Sequence, residues 1–109
     1  MTFVIRNLGY GQLPVLKGTL YTTPVGLCTI VKTITYVNTC NILGQAVNLY
    51  IRPSAGFSSI RIIPPDLGLC ASYSLIWDDE ICLGPEDLIE GDAANANMVD
   101  YEIFGIEEI

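Results

Sequence analysis

Gln45-Ala46-Val47-Asn48-Leu49-Tyr50-Ile51-Arg52 alternates without a break. Val47, Leu49 and Ile51 fall on one side, and Asn48, Tyr50 and Arg52 on the other. A two-residue period over eight positions is the pattern of a β-strand with two different faces. It is closed on both sides by turn formers, Asn41–Gly44 before it and Pro53-Ser54-Ala55-Gly56 after it.

The same punctuation recurs outward from this strand. Cys28 to Asn38 predicts the longest strand, with Val31, Thr33, Thr35 and Val37 on one face and Ile30, Ile34 and Tyr36 with Lys32 on the other. Both faces are partly apolar, so this strand is expected to be central or to lie under a neighbouring subunit. Val15–Thr22 precedes it and stops before Pro24-Val25-Gly26. Downstream, Ser58–Ile63 ends at Pro64-Pro65, which cannot donate to a ladder. Leu69–Trp77, Ile81–Leu83, Leu88–Gly91 and Met98–Ile106 complete the set. Eight short strands in 109 residues, rich in β-branched side chains and without a helical period, predict an all-β chain. The expected fold is one antiparallel β-sandwich, jelly-roll-like, over residues 14–109. Its core would take Val47, Leu49, Ile51, Ile60, Ile62, Leu83, Val99, Tyr101 and Ile103, or their alternates. Residues 1–13, with Asn7-Leu8-Gly9-Tyr10-Gly11, read as an irregular N-terminal arm of the kind that orders on a partner.

Composition narrows the function. Charged residues are only 16% of the chain, against 50% hydrophobic, a balance that suits a surface partly hidden in an assembly. Net charge is −7 with five basic residues, Arg6, Lys17, Lys32, Arg52 and Arg61, spread singly. That excludes a phosphate-tracking surface, so no nucleic-acid partner is expected. All five precede all twelve acidic residues, which begin at Asp66. Interleaved halves would neutralise each other within the domain, whereas separated halves would leave a basic and an acidic face. No signal-peptide pattern and no apolar run of about 18 residues are present, so the expectation is synthesis and assembly in a cytoplasm with no membrane partner.

Catalytic patterns are thin. The chain has no His to activate a Ser or Cys nucleophile. Asp78, Asp79, Glu80, Glu86, Asp87, Glu90 and Asp92 could pair for glycoside hydrolysis or hold Ca²⁺, but they occupy turns and strand ends where carboxylates are ordinary. The chain is therefore read as not an enzyme, with no cofactor and no metal. Cys28, Cys40, Cys70 and Cys82 lack close pairs, which argues against zinc. Cys28 and Cys40 would sit ~40 Å apart on one extended strand, and in a reducing compartment all four are expected as thiols.

Several stretches resemble the small β-sandwich structural proteins of tailed bacteriophages: Leu20–Gly26, Thr29–Ile34, Val47–Ile51, Leu83–Gly91 and Val99–Glu108. The likeness spans roughly residues 13–108 and is a strand-and-turn pattern. It implies a virion component, either a head decoration (cement) protein bound to the major capsid protein, commonly as a homotrimer, or a tail component. The four cysteines depart from that pattern. On this reading, Phe3, Ile5, Arg6, Leu8 and Tyr10 of the arm would clasp a neighbour. Lys32 and Tyr36 would lie in the subunit interface, and Trp77 would be the best anchor for a partner or a host glycan.

Overall fold

The computed structural model describes residues 2–54 and 58–109, so the loop expected over Pro53–Gly56 lies partly outside the described residues. Ten strands form among them: β1 (Phe3–Gln12), β2 (Gly18–Thr22), β3 (Thr29–Asn38), β4 (Gln45–Arg52), β5 (Ile60–Arg61), β6 (Leu67–Leu69), β7 (Ser74–Trp77), β8 (Ile81–Leu83), β9 (Leu88–Ala93) and β10 (Val99–Glu108).

Two antiparallel sheets share them. The first runs β1-β10-β3-β7, with β8 also on β3; the second runs β2-β9-β4-β5, with β6 also on β4. β5 and β6 act as one interrupted strand along β4, and β7 and β8 as another along β3. Counted so, the described residues form eight strands in the orders 1-8-3-6 and 2-7-4-5, a double-sheet jelly roll.

Residues 3–12 are no loose arm. They form an edge strand that pairs with β10 from Phe3↔Glu108 to Gln12↔Asp100. The stretch Leu69–Trp77 is not one strand either. Its ends join different sheets, and Ser72, at φ 63°, turns the chain between them. Asn38, fully buried, fastens this crossing. Its Nδ2 donates to the carbonyls of Leu43 (2.9 Å), Leu69 (3.1 Å) and Cys70 (3.3 Å), and its Oδ1 accepts from the Cys40 amide (3.0 Å).

The core lies between the sheets, with Val31, Ile34, Tyr36, Val47, Leu49, Ile89, Val99 and Ile103 sealed from solvent. Ile51, Ile62 and Tyr101 pack against it, whereas Ile60, expected inside, is 59% exposed. The inward set on β3 changes phase along the strand: Thr29 and Val31, then Ile34, Tyr36 and Asn38. A β-bulge causes this. Phe104 pairs with Thr33 and Gly105 with Val31, which leaves Lys32 as the extra residue. A second bulge on the other side of β10 leaves Leu8 extra between Asn7 and Gly9. Gly105 makes room for both. A β-carbon there would stand 2.3 Å from the Ile30 carbonyl oxygen and 3.0 Å from Leu8 Cδ1.

Polar links cross the sandwich. Tyr21 of β2 hydrogen-bonds Thr29 Oγ1 at 2.8 Å and donates to Glu107 at 2.5 Å, and Arg6 pairs with Glu107 at 3.1 Å. Burial first, and then the bond to Glu107, push the Tyr21 phenol up to about 12. Each of the three ion pairs among the described residues, Arg6–Glu107, Lys32–Glu80 and Arg52–Glu90, joins an early base to a late acid. The two halves of the charge pattern therefore interleave.

Candidate functional site

Two surfaces concentrate side chains that could act. The first is the outer face of the second sheet. Here Asn48 and Tyr50, on the polar side of β4, are buried because residues 58–66 lie against them. Asn48 Nδ2 donates to Asp92 at 2.7 Å and Asp66 at 3.0 Å, and its Oδ1 accepts from Arg61 at 2.6 Å. The Tyr50 hydroxyl donates to Asp92 at 3.1 Å, and Lys17 (4.8 Å) and Arg61 (5.0 Å) both stand over its ring. Burial, with the bond to Asp92, raises the Tyr50 pKa. Glu90, 5% exposed, accepts from Ser59, which itself accepts from Lys17. These groups satisfy one another, so the cluster is a fastening for the covering segment. Four of the seven carboxylates considered for catalysis are engaged in the same way. Asp92 and Glu90 belong to this network, Asp87 accepts from the Gly84 and Ser54 amides, and Glu80 pairs with Lys32 at 2.6 Å. Among the described residues, no group of three or more His, Cys, Asp or Glu is placed to hold a metal ion.

The second surface is the outer face of the first sheet. Strand register aligns side chains in rows across it. One row is wholly apolar: Ile5, Ile106, Ile30 and Cys82, from β1 through β10 and β3 to β8. Phe3 and Phe104 extend it, and Ile5 is 68% exposed. Towards the other end come the rows Tyr10-Glu102-Thr35-Ile76 and Gln12-Asp100-Val37-Ser74. An open groove of about 560 Å³ lies there, lined by Asn7, Tyr10, Gly11, Gln12, Val37, Asp100, Tyr101 and Glu102.

The predicted interface residues divide over this frame. Phe3, Ile5 and Tyr10 share the exposed outer face. Arg6 instead reaches Glu107, and Leu8 packs against the core from its bulge. Lys32 stands on the other bulge, engaged with Glu80. Tyr36 is 1% exposed and spans the core, so it offers nothing to a partner. Trp77 pairs with Ile34 on the inward face, and its buried Nε1 has no hydrogen-bond partner, which removes it as a sugar platform. The reading of β3 as strictly alternating gave Tyr36 an outward role that the bulge cancels. Phe104, Ile106 and Ile76 were missed. Phe104 and Ile106 share the parity of the polar Asp100 and Glu102, so two large apolar side chains on a nominally solvated face were already visible.

Cys28, Cys70 and Cys82 are exposed, Cys40 is partly buried, and all four are free thiols. No helix among the described residues is long and apolar enough to cross a membrane.

No protein-family model matches the chain, and no curated protein matches it. Among solved structures, a chain from the structure of the infectious bursal disease virus Gx strain is similar, with 12% identity and a TM-score of 0.46. The match covers 97% of this chain and 32% of that one, so the present chain spans about a third of its length.

Proposed function

We propose that this chain is a structural component of a virus particle that works by binding protein surfaces and not as an enzyme. The specific form we favour is a bacteriophage capsid decoration (cement) protein, a homotrimer seated on junctions between major capsid subunits. The observation that carries this reading is the uncovered outer face of the first sheet, with its row Ile5-Ile106-Ile30-Cys82 and the flanking Phe3 and Phe104. Fully burying a large aliphatic or aromatic side chain is worth roughly 1.5–3 kcal/mol. An apolar face left open on a chain with so few charges calls for a partner. Jelly rolls build viral shells as well as lectins, so the fold supports the reading without fixing it. The sequence resemblance to phage β-sandwich structural proteins points the same way.

The work of such a protein is mechanical. Bound across subunits, it stabilises the closed shell by mass action, because opening the shell also breaks its contacts. The test is native mass by light scattering, followed by co-sedimentation with expanded phage capsids. A trimer that sediments with capsids, and loses that binding on Ile5→Asp, is the expected result. A monomer that ignores capsids of every phage tried would sink the proposal.

A further inference from the structure

We infer that the groove at the polar end of the first sheet's outer face is a carbohydrate subsite that takes a neutral pyranose. This inference is independent of the capsid reading. Tyr10 stands at the groove with 78% of its surface exposed, the most exposed aromatic side chain among the described residues. Its ring is open to solvent, and it stands two residues beyond the Leu8 bulge of β1. A flat apolar face of this kind suits the C–H face of a sugar ring, while its hydroxyl remains free to hydrogen-bond.

Two planar polar pairs flank it. Asn7 Nδ2 donates to Glu102 Oε2 at 3.2 Å, and Gln12 Nε2 donates to Asp100 Oδ1 at 3.3 Å. In each pair the amide keeps a second N–H and a carbonyl oxygen, and the carboxylate keeps lone pairs. The groove therefore offers donors and acceptors side by side, twice. Vicinal hydroxyls, which both donate and accept, use all of these groups. A cationic side chain would use the acceptors alone. The amides also hold the carboxylates in fixed orientations before any ligand arrives, which reduces the entropy lost on binding.

The floor is apolar. Val37, beside Asp100 in the strand register, forms it. The volume of about 560 Å³ falls within the roughly 300–1,000 Å³ typical of small-molecule sites. It is an open trough suited to one or two sugar rings of a longer chain.

The experiment screens the whole chain on an array of neutral and charged glycans. The hit is then titrated against the chain by saturation-transfer NMR, with an oligo-arginine peptide as a parallel probe. The expected result is a neutral glycan whose affinity falls at least about tenfold in Tyr10→Ala and in Asp100→Ala, with unchanged native mass and melting temperature. Ile5→Asp, the variant expected to lose capsid co-sedimentation, should keep glycan binding, which separates this inference from the one above. Absence of any neutral-glycan hit, or binding that survives Tyr10→Ala, would overturn it. So would salt-sensitive binding of oligo-arginine alone, which would make the groove a seat for a basic peptide.

Discussion

The phenol oxygen of Tyr36 lies 2.5 Å from the point where a β-carbon on Gly91 would stand, and it donates to the Asn48 carbonyl at 3.0 Å. Tyr36 belongs to the first sheet, Gly91 and Asn48 to the second, so one side chain spans the sandwich and needs a missing side chain opposite. Burial, reinforced by the nearby Asp92 charge, drives the phenol pKa far above its usual value. Gly91→Ala should cost about 1–3 kcal/mol by overpacking, because Leu20 Cδ1 and the Asn48 carbonyl also close on that position. Tyr36→Phe should cost about 1 kcal/mol. The double variant should be less unstable than the sum of the two, as read from urea midpoints in a double-mutant cycle.

Asn38 places a stronger demand on a single residue. Its buried amide group ties Cys40 and Leu43 to Leu69 and Cys70. Asn38→Ala leaves three carbonyls and an amide without that partner and should lose roughly 2–4 kcal/mol. Hydrogen exchange should show the first protection lost in residues 39–44 and 69–73.

Alkaline pH should unfold the chain. Tyr21, Tyr36, Tyr50 and Tyr101 all have raised pKa values. A phenol that ionises later in the folded state than in the unfolded one favours folding fully below its unfolded value. That contribution fades once pH passes about 10, because the unfolded chain gives up its protons first. Urea midpoints should stay level from neutral pH to about 9 and then fall, and Tyr21→Phe should make the fall shallower.

On the outer face of the first sheet, Ile5→Asp should leave stability within about 0.5 kcal/mol, since the side chain is already largely in water. Sedimentation of the variant should nevertheless show a smaller particle than the parent chain. A variant with unchanged mass and unchanged capsid binding would remove this face from the interface.

The thiols give an independent check. Brief alkylation of the native chain should label Cys28, Cys70 and Cys82 ahead of the partly buried Cys40. Because no bridge is present in this fold, the denaturation midpoint should be the same with and without reductant.

Where side chains alternate cleanly, the sequence was legible: β4 and β8 match their predicted limits, and the jelly-roll class follows from the eight segments. What was hidden has specific causes. Gly9, Gly11 and Asn7 made β1 look like an arm, because a pattern cannot show that β10 lies beside it to supply the pairing. Lys32 reversed the parity of β3, and nothing local marks it as a bulge. The signal sits in Gly105 on the neighbouring strand. For the candidate site, the sequence named Tyr10 as an arm residue that meets a neighbour, and the structure leaves it 78% exposed on an edge strand. Its partners Asp100 and Glu102 are about ninety residues away in the chain, and only the register brings them together.

That pairing of β1 with β10 also sets an order of events. Phe3 meets Glu108, and Gln12 meets Asp100, so the first strand emerges from the ribosome and waits without a mate while nearly the whole domain is made. Until β10 arrives, the first sheet has a vacant place between β1 and β3. In a crowded assembly compartment, the β10 of one copy can enter that place in another before that copy's own β10 completes the fold. Exchange of a strand between copies would then link subunits without any change in the contacts that hold each one together.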